Sequence, residues 1–433
     1  MKILIPIEIC SREFLYKTFL SHLLALEGFE CYFGTKRNIS FLLNKFENFI
    51  YLDKGYHRGV SDVLYERIKN RNGIIINLDE EGAIDFPDGS TLKSRYSTKL
   101  FEASTMVFLW GNYQKRLLEE LSLQKNKMLV TGHPRFELLK TKYHHIYQDK
   151  VSNIKNRFNK FILINSNFGF GNNIKGDEFV LNNYGSRVKR VKEIVIFDKV
   201  KRETYIKLVK NLAQKFEINI IYRPHPEEEI ATYVAAFKNL TNVFVVHEGS
   251  VVPWIIAAEV MIHPDCTTGI EAFMVGKKSI SFIPTGYNPN IVAQLPLDIS
   301  YRLESINDVI NFIHNEEYRI NSDQEKDFNI IDTYFSFRTE SSKEIVKFIC
   351  KAKECIKNNY LEKLSVKDRL TLNAIGLKLK MNNSAKTRLS KNKLKEFEIT
   401  NLRSLKRKIE LINDEFGQIK CDQVSHQLFK IYK

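Results

Sequence analysis

Short apolar runs, each ending in a polar turn that opens a helical pattern, recur from the first residues to about residue 283, and this alternation constrains the fold more than any other feature of the chain. Residues 2–7, 30–33, 49–52, 73–78, 105–110 and 127–131 read as strands, while 13–26, closed by Gly28, and 60–68 have helical spacing. Short links and repeated strand-to-helix switching predict parallel strands with right-handed crossovers. After a polar helical stretch at 143–159 the pattern restarts. Residues 161–164, 218–222, 260–262 and 279–283 read as strands; 227–239 and 267–275 read as helices, the latter closed by Gly276. Residues 173–190 are polar and patternless and read as a loop of the kind that orders over a ligand. The fold class that follows is α/β: two facing Rossmann-like domains with a cleft between them and a helical, basic C-terminal extension. The boundaries expected are 1–150 and 151–300 for the two domains, 301–360 for helices packing back across them, and 361–433 for the tail.

A chain of 433 residues is too long for one ordinary core, and 43% hydrophobic content is ample for two. The longest strongly apolar stretch, 251–262, is short and contains Glu259, so no membrane-spanning helix is predicted. The chain opens on a strand pattern rather than a signal peptide, which points to the cytoplasm. Six cysteines, at 10, 31, 266, 350, 355 and 421, form no Cys-x-x-Cys pair and read as reduced thiols, Cys266 as a packed thiol rather than a nucleophile. From Lys351 onward 20 Lys and Arg stand against 9 Asp and Glu, an excess of 11 within a net charge of +15. A basic tail with interspersed Leu, Ile and Phe suits an anionic membrane surface, and hence a peripheral location on the inner face of the cytoplasmic membrane. A solvated helical hairpin that is merely basic fits the same residues. Nucleic acid is the least supported partner, because the charge is not laid along a recognised module with interleaved aromatics.

Two segments at strand ends carry phosphate-binding chemistry. Arg223-Pro224-His225-Pro226 follows the strand at 218–222, and ligands of open α/β sheets collect at that carboxyl edge. Arg223 offers a planar fork for phosphate; His225 can donate one hydrogen bond or carry charge as a leaving group departs. The second segment is His263-Pro264-Asp265-Cys266-Thr267-Thr268-Gly269-Ile270-Glu271-Ala272. Thr267 or Thr268 reads as a helix N-cap, with free N–H groups and the positive dipole end facing phosphate. Glu271, one turn in, could reach a ribose hydroxyl. The plainer reading is a cap and a capping box from Thr268 to Glu271.

A donor site on the second domain needs an acid or base on the first. Asp79-Glu80-Glu81-Gly82 is the densest set of carboxylates at a strand end, and three adjacent acids cannot all be buried and ionised. Glu81 is the first choice for a general base and Glu80 the second; capping and solvation of the same acids is the alternative. Glu8 with Arg12, and His133 in Thr131-Gly132-His133-Pro134-Arg135, also end strands, His133 reading rather as a structural turn residue. Asp265 and His263 complete the candidates. No Asp-x-Asp pair or His/Cys cluster with metal spacing occurs, so neither a metal nor a cofactor is expected, leaving-group charge falling to Arg223, His225 and the helix terminus.

Taken in order, Glu8 with Ser11-Arg12-Glu13, Leu78-Asp79-Glu80-Glu81-Gly82, Trp110-Gly111-Asn112-Tyr113-Gln114, Thr131-Gly132-His133-Pro134-Arg135, Asn165-Ser166-Asn167-Phe168, Arg223-Pro224-His225-Pro226, Pro253-Trp254 and Cys266 to Ala272 resemble the bacterial surface carbohydrate biosynthesis protein family. That family is similar in layout to GT-B glycosyltransferases of capsule and lipopolysaccharide synthesis, including Kdo transferases, and more distantly to teichoic-acid glycerophosphotransferases. The resemblance spans roughly residues 1–296. It implies a GT-B transferase moving a sugar from a nucleotide-activated donor, by analogy a CMP-activated acidic sugar such as CMP-Kdo, onto a surface polysaccharide or lipid-linked glycan acceptor. It also adds Asn165 and Asn167 to the donor-binding candidates; Ser166 stands where threonine is common and keeps the hydroxyl. A nucleotide-sugar epimerase on the same scaffold and a non-catalytic glycan- or membrane-binding assembly factor are the competing readings.

Overall fold

The computed structural model describes residues 1–57, 59–80, 86–87, 89–121, 124–185, 188–319, 324–356, 363–381 and 393–433. The chain divides into two compact units, one comprising Met1–Gly82, Arg95–Leu138 and Ile331–Lys433, the other Ala83–Ser94 and Leu139–Ile330.

The first unit is built on strands β1 (Lys2–Ile7), β2 (Glu30–Thr35), β3 (Ile50–Asp53), β4 (Ile74–Leu78), β5 (Ser104–Leu109) and β6 (Met128–Val130), all parallel. Residues of β1 and β3 are buried throughout, as expected of a parallel sheet covered on both faces. The covering helices include α1 (Cys10–Leu26), α2 (Lys36–Leu43) and α3 (Val60–Lys69). In the sheet these strands run β2-β1-β3-β4-β5-β6. The winding therefore reverses between β1 and β3, which makes their carboxyl ends a switch point where ligands collect.

The second unit carries β7 (Phe161–Asn165), β8 (Asn219–Arg223), β9 (Val243–Val245), β10 (Val260–His263), β11 (Ile280–Phe282) and β12 (Tyr301–Leu303) in the order β12-β11-β10-β7-β8-β9, again all parallel. That is the winding of dinucleotide-binding sheets, with its switch point between β7 and β10. Its helices include α4 (Asp177–Tyr184), α5 (Val191–Lys215), α6 (Ile230–Phe237), α7 (Thr267–Met274) and α8 (Ile306–His314). The stretch expected as a loop at 173–190 thus contains α4. Its helical face is short because one residue, Val180, is buried, against Val191 and Val195 of α5. Strand β12 was missed because it is a short edge strand with no buried residue.

The basic tail belongs to the first unit. It is helical at α9 (Val366–Met381) and α10 (Ile399–Glu410) but ends in a hairpin, β13 (Lys420–Ser425) and β14 (Leu428–Tyr432). The expectation of a wholly helical extension is corrected there. Strand β14 pairs antiparallel with β2 and completes an eight-stranded sheet. Leu428, Phe429 and Ile431 are buried, whereas β13 is largely exposed and its mixed polarity hid it from the sequence pattern. Among the described residues no helix is long and apolar enough to cross a membrane.

Candidate functional site

In the second unit the loops after β7 and β8 are fastened to one carboxylate. Glu228, buried in the turn before α6, accepts hydrogen bonds at one oxygen from Ser166 Oγ (2.8 Å), Phe168 N (3.0 Å) and His225 N (3.0 Å), and at the other from Tyr233 OH. Both strand ends at this half of the switch point are thereby fixed in one geometry. No motif marked Glu228 in the sequence, because nothing in a run of three glutamates tells which one is buried.

The fixed loop presents His225. Its Nδ1 accepts from Glu227 N (3.3 Å), so in the neutral ring the proton sits on Nε2. Burial lowers the pKa, against the opposing pull of Glu228 and Glu227, and keeps the ring neutral near pH 7. Nε2–H is then a donor at the carboxyl edge. Gly169 lies against the ring: a Cβ there would come within 3.3 Å of Nδ1. Arg223, expected as an open fork for phosphate, instead donates to Glu248 O (2.9 Å) and Gly249 O (3.2 Å) and stacks over Trp254 at 5.0 Å. Burial brings its pKa down to about 10. Arg223 therefore braces the turn after β9, which carries His247, and accounts for the Pro253-Trp254 motif.

Across the switch point α7 begins at Thr267, and Cys266, not a threonine, is its N-cap. The cap residue offers sulfur, a weak acceptor, in place of the oxygen that ordinarily satisfies first-turn N–H groups. Thr267 and Thr268 lie half-buried in that first turn, and Cys266 Sγ is 2.8 Å from Thr268 Oγ1. Burial pushes the Cys266 thiol up to about 12, consistent with a packed thiol. Helix α7 comes close to β10 because residue 269 has no side chain: a Cβ there would lie 2.3 Å from the ring of His263. His263 itself is fully buried, with Nε2 at 3.0 Å from Ser279 Oγ and 3.1 Å from Ser300 Oγ. Burial lowers its pKa to about 3, and as a core residue it is not available to a ligand.

Asp265 is likewise structural in its contacts. It accepts from Lys201 Nζ (3.2 Å) and Ala293 N (3.3 Å), and Lys201 also pairs with Asp198 (3.0 Å), whose other oxygen accepts from Phe170 N (3.1 Å). This buried triad ties the loops after β7 and β10 to α5. Asn165 is buried, its Nδ2 at 3.3 Å from Met261 Sδ and its Oδ1 without a hydrogen-bond partner among the described residues; Asn167 is half-buried. Glu271 is buried in α7 and engaged within the protein, so it does not stand out toward a ribose.

In the first unit the acids after β4 have separate fates. Asp79 is buried and accepts from Nε (3.1 Å) and Nη2 of Arg95, and its carbonyl accepts from Trp110 Nε1 (2.8 Å). Glu80 is buried: one oxygen receives Tyr16 OH and lies 3.0 Å from Lys17 Nζ, while the other has no hydrogen-bond partner among the described residues. Glu81, the first choice for a base, and Gly82 lie outside the described residues. Lys17 is shared with Glu13 (2.8 Å) and Pro6 O (2.8 Å). Burial pushes the Glu13 carboxyl up, but Lys17 and Lys54 outweigh it and hold the pKa at about 2. Burial likewise works against the charged Lys17, yet Glu13 and Glu80 raise its pKa on balance. Tyr16 and Lys17 were missed, although the i,i+4 pair Glu13 and Lys17 could have signalled them.

Glu8 stands half-exposed at the end of β1, paired with Lys36 and Lys54, and burial is outweighed by Lys54 in lowering its pKa. Arg12 is half-buried in the first turn of α1. His133 caps a short helix, its Nδ1 accepting from Arg135 N (3.1 Å), and packs against Tyr16 and Trp110 at 5.0 and 4.9 Å. The turn-residue reading is the one its contacts support. Its Nε2 is buried and, like the free oxygen of Glu80, has no hydrogen-bond partner among the described residues.

No protein-family model and no curated protein matches the chain. Among solved structures, the UDP-GlcNAc 2-epimerase of Methanocaldococcus jannaschii is similar with a TM-score of 0.50 and 11% identity, over 81% of this chain and 100% of that one. The S. aureus MnaA–UDP co-structure gives a TM-score of 0.49 and 12% identity over 84% of this chain and 99% of that one. The wall teichoic acid polymerase TagF gives 0.44 and 13% over 72% and 74%. The first likeness shows the fold: the chain has the GT-B type of architecture, with two Rossmann-type units.

Proposed function

We propose that this chain is a GT-B glycosyltransferase that moves a sugar from a nucleotide-activated donor to a surface polysaccharide or lipid-linked glycan acceptor. The observation that carries the reading is the neutral, Nε2-protonated His225 in the same carboxyl edge as an α7 N-terminus whose N-cap residue, Cys266, makes no side-chain capping hydrogen bond. A hydrogen-bond donor and first-turn N–H groups at the switch point of a dinucleotide-type sheet suit a diphosphate or monophosphate ester. His225 Nε2–H, the α7 amides and the Thr267 and Thr268 hydroxyls would hold the departing phosphate. Such donors count most where charge develops as the glycosidic bond to phosphate breaks.

The proton of the acceptor hydroxyl goes to a carboxylate. Glu80 fits because one of its oxygens is held by Tyr16 and Lys17 while the other is uncommitted among the described residues. Arg223 acts by bracing the edge. The donor class we favour is a CMP-activated acidic sugar of the Kdo kind, and the reaction is proposed to need no metal.

The test is nucleotide release from CMP-, UDP- and GDP-sugars with and without glycan acceptor, in the presence of chelator. Acceptor-dependent release, falling by a factor of about 100 or more in His225→Ala with its circular dichroism unchanged, supports the transferase. Conversion of donor without acceptor marks an epimerase, and no turnover of any donor marks the assembly-factor reading.

A further inference from the structure

Two polar atoms of the first unit are buried with no hydrogen-bond partner among the described residues: one carboxylate oxygen of Glu80 and Nε2 of His133, in residues 2% and 1% exposed. Buried polar groups are nearly always paired, so two left open side by side call for a third group. Glu80 follows β4, Trp110 follows β5 and His133 follows β6, so all three lie at the carboxyl edge of neighbouring strands. The Trp110 ring is 4.9 Å from that of His133, and its Nε1 donates to the carbonyl of Asp79, the residue before Glu80 (2.8 Å). Tyr16 spans the two groups, its hydroxyl on Glu80 and its ring 5.0 Å from His133.

The two open atoms differ in kind. His133 Nδ1 accepts from Arg135 N (3.1 Å), so in the neutral ring the proton sits on Nε2, which is a donor. Burial, aided by Arg135, Lys17 and Arg12, holds the ring neutral. The open oxygen of Glu80 is an acceptor, while its twin takes Tyr16 OH and lies 3.0 Å from Lys17 Nζ, a cation already shared with Glu13. A phosphate or carboxylate has no proton for Glu80 and is repelled by it, and an ammonium has no lone pair for His133. A hydroxyl donates and accepts at once, and a sugar carries several of them side by side.

We infer that Glu80 and His133 together hold hydroxyls of a sugar acceptor, Glu80 accepting and His133 donating, and that this site selects a neutral polyol over an anionic nucleophile. His133 thereby caps a short helix with one ring nitrogen and binds the acceptor with the other. The word acceptor rests on the transferase reading; the hydroxyl site does not. A fixed internal water would offer the same proton and lone pairs, and the experiment separates the two sources.

The test splits the two roles of His133. Asn supplies a capping oxygen for Arg135 N but reaches no further, whereas Gln places an amide N–H near the position of Nε2 and caps poorly. In nucleotide release with glycan acceptor, His133→Asn is expected to keep the wild-type melting temperature and the donor KM while losing about tenfold or more in kcat/KM for the acceptor; His133→Gln melts lower yet retains more activity. Independently of turnover, NMR of the 15N-histidine-labelled chain follows the His133 Nε2 signal, assigned by its loss in His133→Asn, as glycerol, methyl glucoside, methyl galactoside or formate is added. Glycerol or a methyl glycoside is expected to move it, and formate is not. In Glu80→Gln the amide oxygen stays on Lys17 and an N–H replaces the open oxygen, so the preference reverses to formate. A wild-type signal moved by formate or by no probe, or acceptor kinetics in His133→Asn equal to wild type, overturns the inference and leaves a structural water at the site. Absence of turnover with any donor counts against the transferase reading alone, and the NMR result then decides the hydroxyl site by itself.

Discussion

Replacing Glu228 tests whether one carboxylate organises the His225 edge. In Glu228→Ala the amides of Phe168 and His225 and the hydroxyls of Ser166 and Tyr233 lose their acceptor. The hydroxyls can turn elsewhere, but the amides are fixed, and each costs about 1–3 kcal/mol unsatisfied. The expected loss is therefore about 4 kcal/mol, which for a unit of this size lowers its melting temperature by roughly 8–16 °C. Glu228→Gln keeps an oxygen for the three donors grouped on Oε1 and lets Tyr233 reverse its hydroxyl, so about half of the loss or less remains. Thermal and urea unfolding of the three proteins measures this directly. A second readout is local: Glu228 holds the His225 pKa up against burial, so its removal moves the imidazole titration to lower pH. Glu228→Ala within about 1 kcal/mol of wild type, or Gln as damaging as Ala, refutes the reasoning.

Other consequences are equally direct. Gly269→Ala puts a methyl 2.3 Å from the locked ring of His263, so the start of α7 must shift. It should destabilise by about 1–3 kcal/mol and weaken nucleotide binding, read by calorimetry. Lys201→Met leaves Asp198 and Asp265 buried without their cation and should cost about 3–5 kcal/mol in urea unfolding. Acidification should destabilise the protein from about pH 6.5 downward. His22 and His263 are held at about 4 and 3 by burial, so the unfolded chain takes up protons first, and each histidine costs about 1.4 kcal/mol per pH unit. Glu13, held at about 2, adds its own loss as pH falls below the ordinary carboxylate value of 4.5. Stability that is flat from pH 7 to 4.5 would contradict the burial of both histidines.

The sheet scaffold was legible because parallel strands buried on both faces read as continuous apolar runs, and β1, β4, β8 and β10 fall where those runs lie. Edge elements were not: β12, β13 and the half-exposed α4 lack a full buried face. At the site, the motif at 223–226 located the edge but not the roles within it. Which arginine is free and which braces a turn depends on carbonyls 25 and 26 residues away, at Glu248 and Gly249. The buried cation Lys201 and the acceptor Glu228 escaped for the same reason, since burial of a charge is decided by partners distant in the chain. His263, named among the candidates, is a core residue, and Gly269 lets α7 press upon it.

The central claim is that phosphate binds at the edge formed by His225 and the start of α7. Thermal unfolding with CMP, UDP, GDP and their sugar conjugates, for wild type, His225→Ala and Thr267→Val/Thr268→Val, tests it most directly. A ligand at 100 times its Kd adds about 2.7 kcal/mol, so one nucleotide class should raise the wild-type transition by roughly 5–10 °C and do so weakly or not at all in either variant. An equal shift in all three proteins, or none with any nucleotide, would contradict the account.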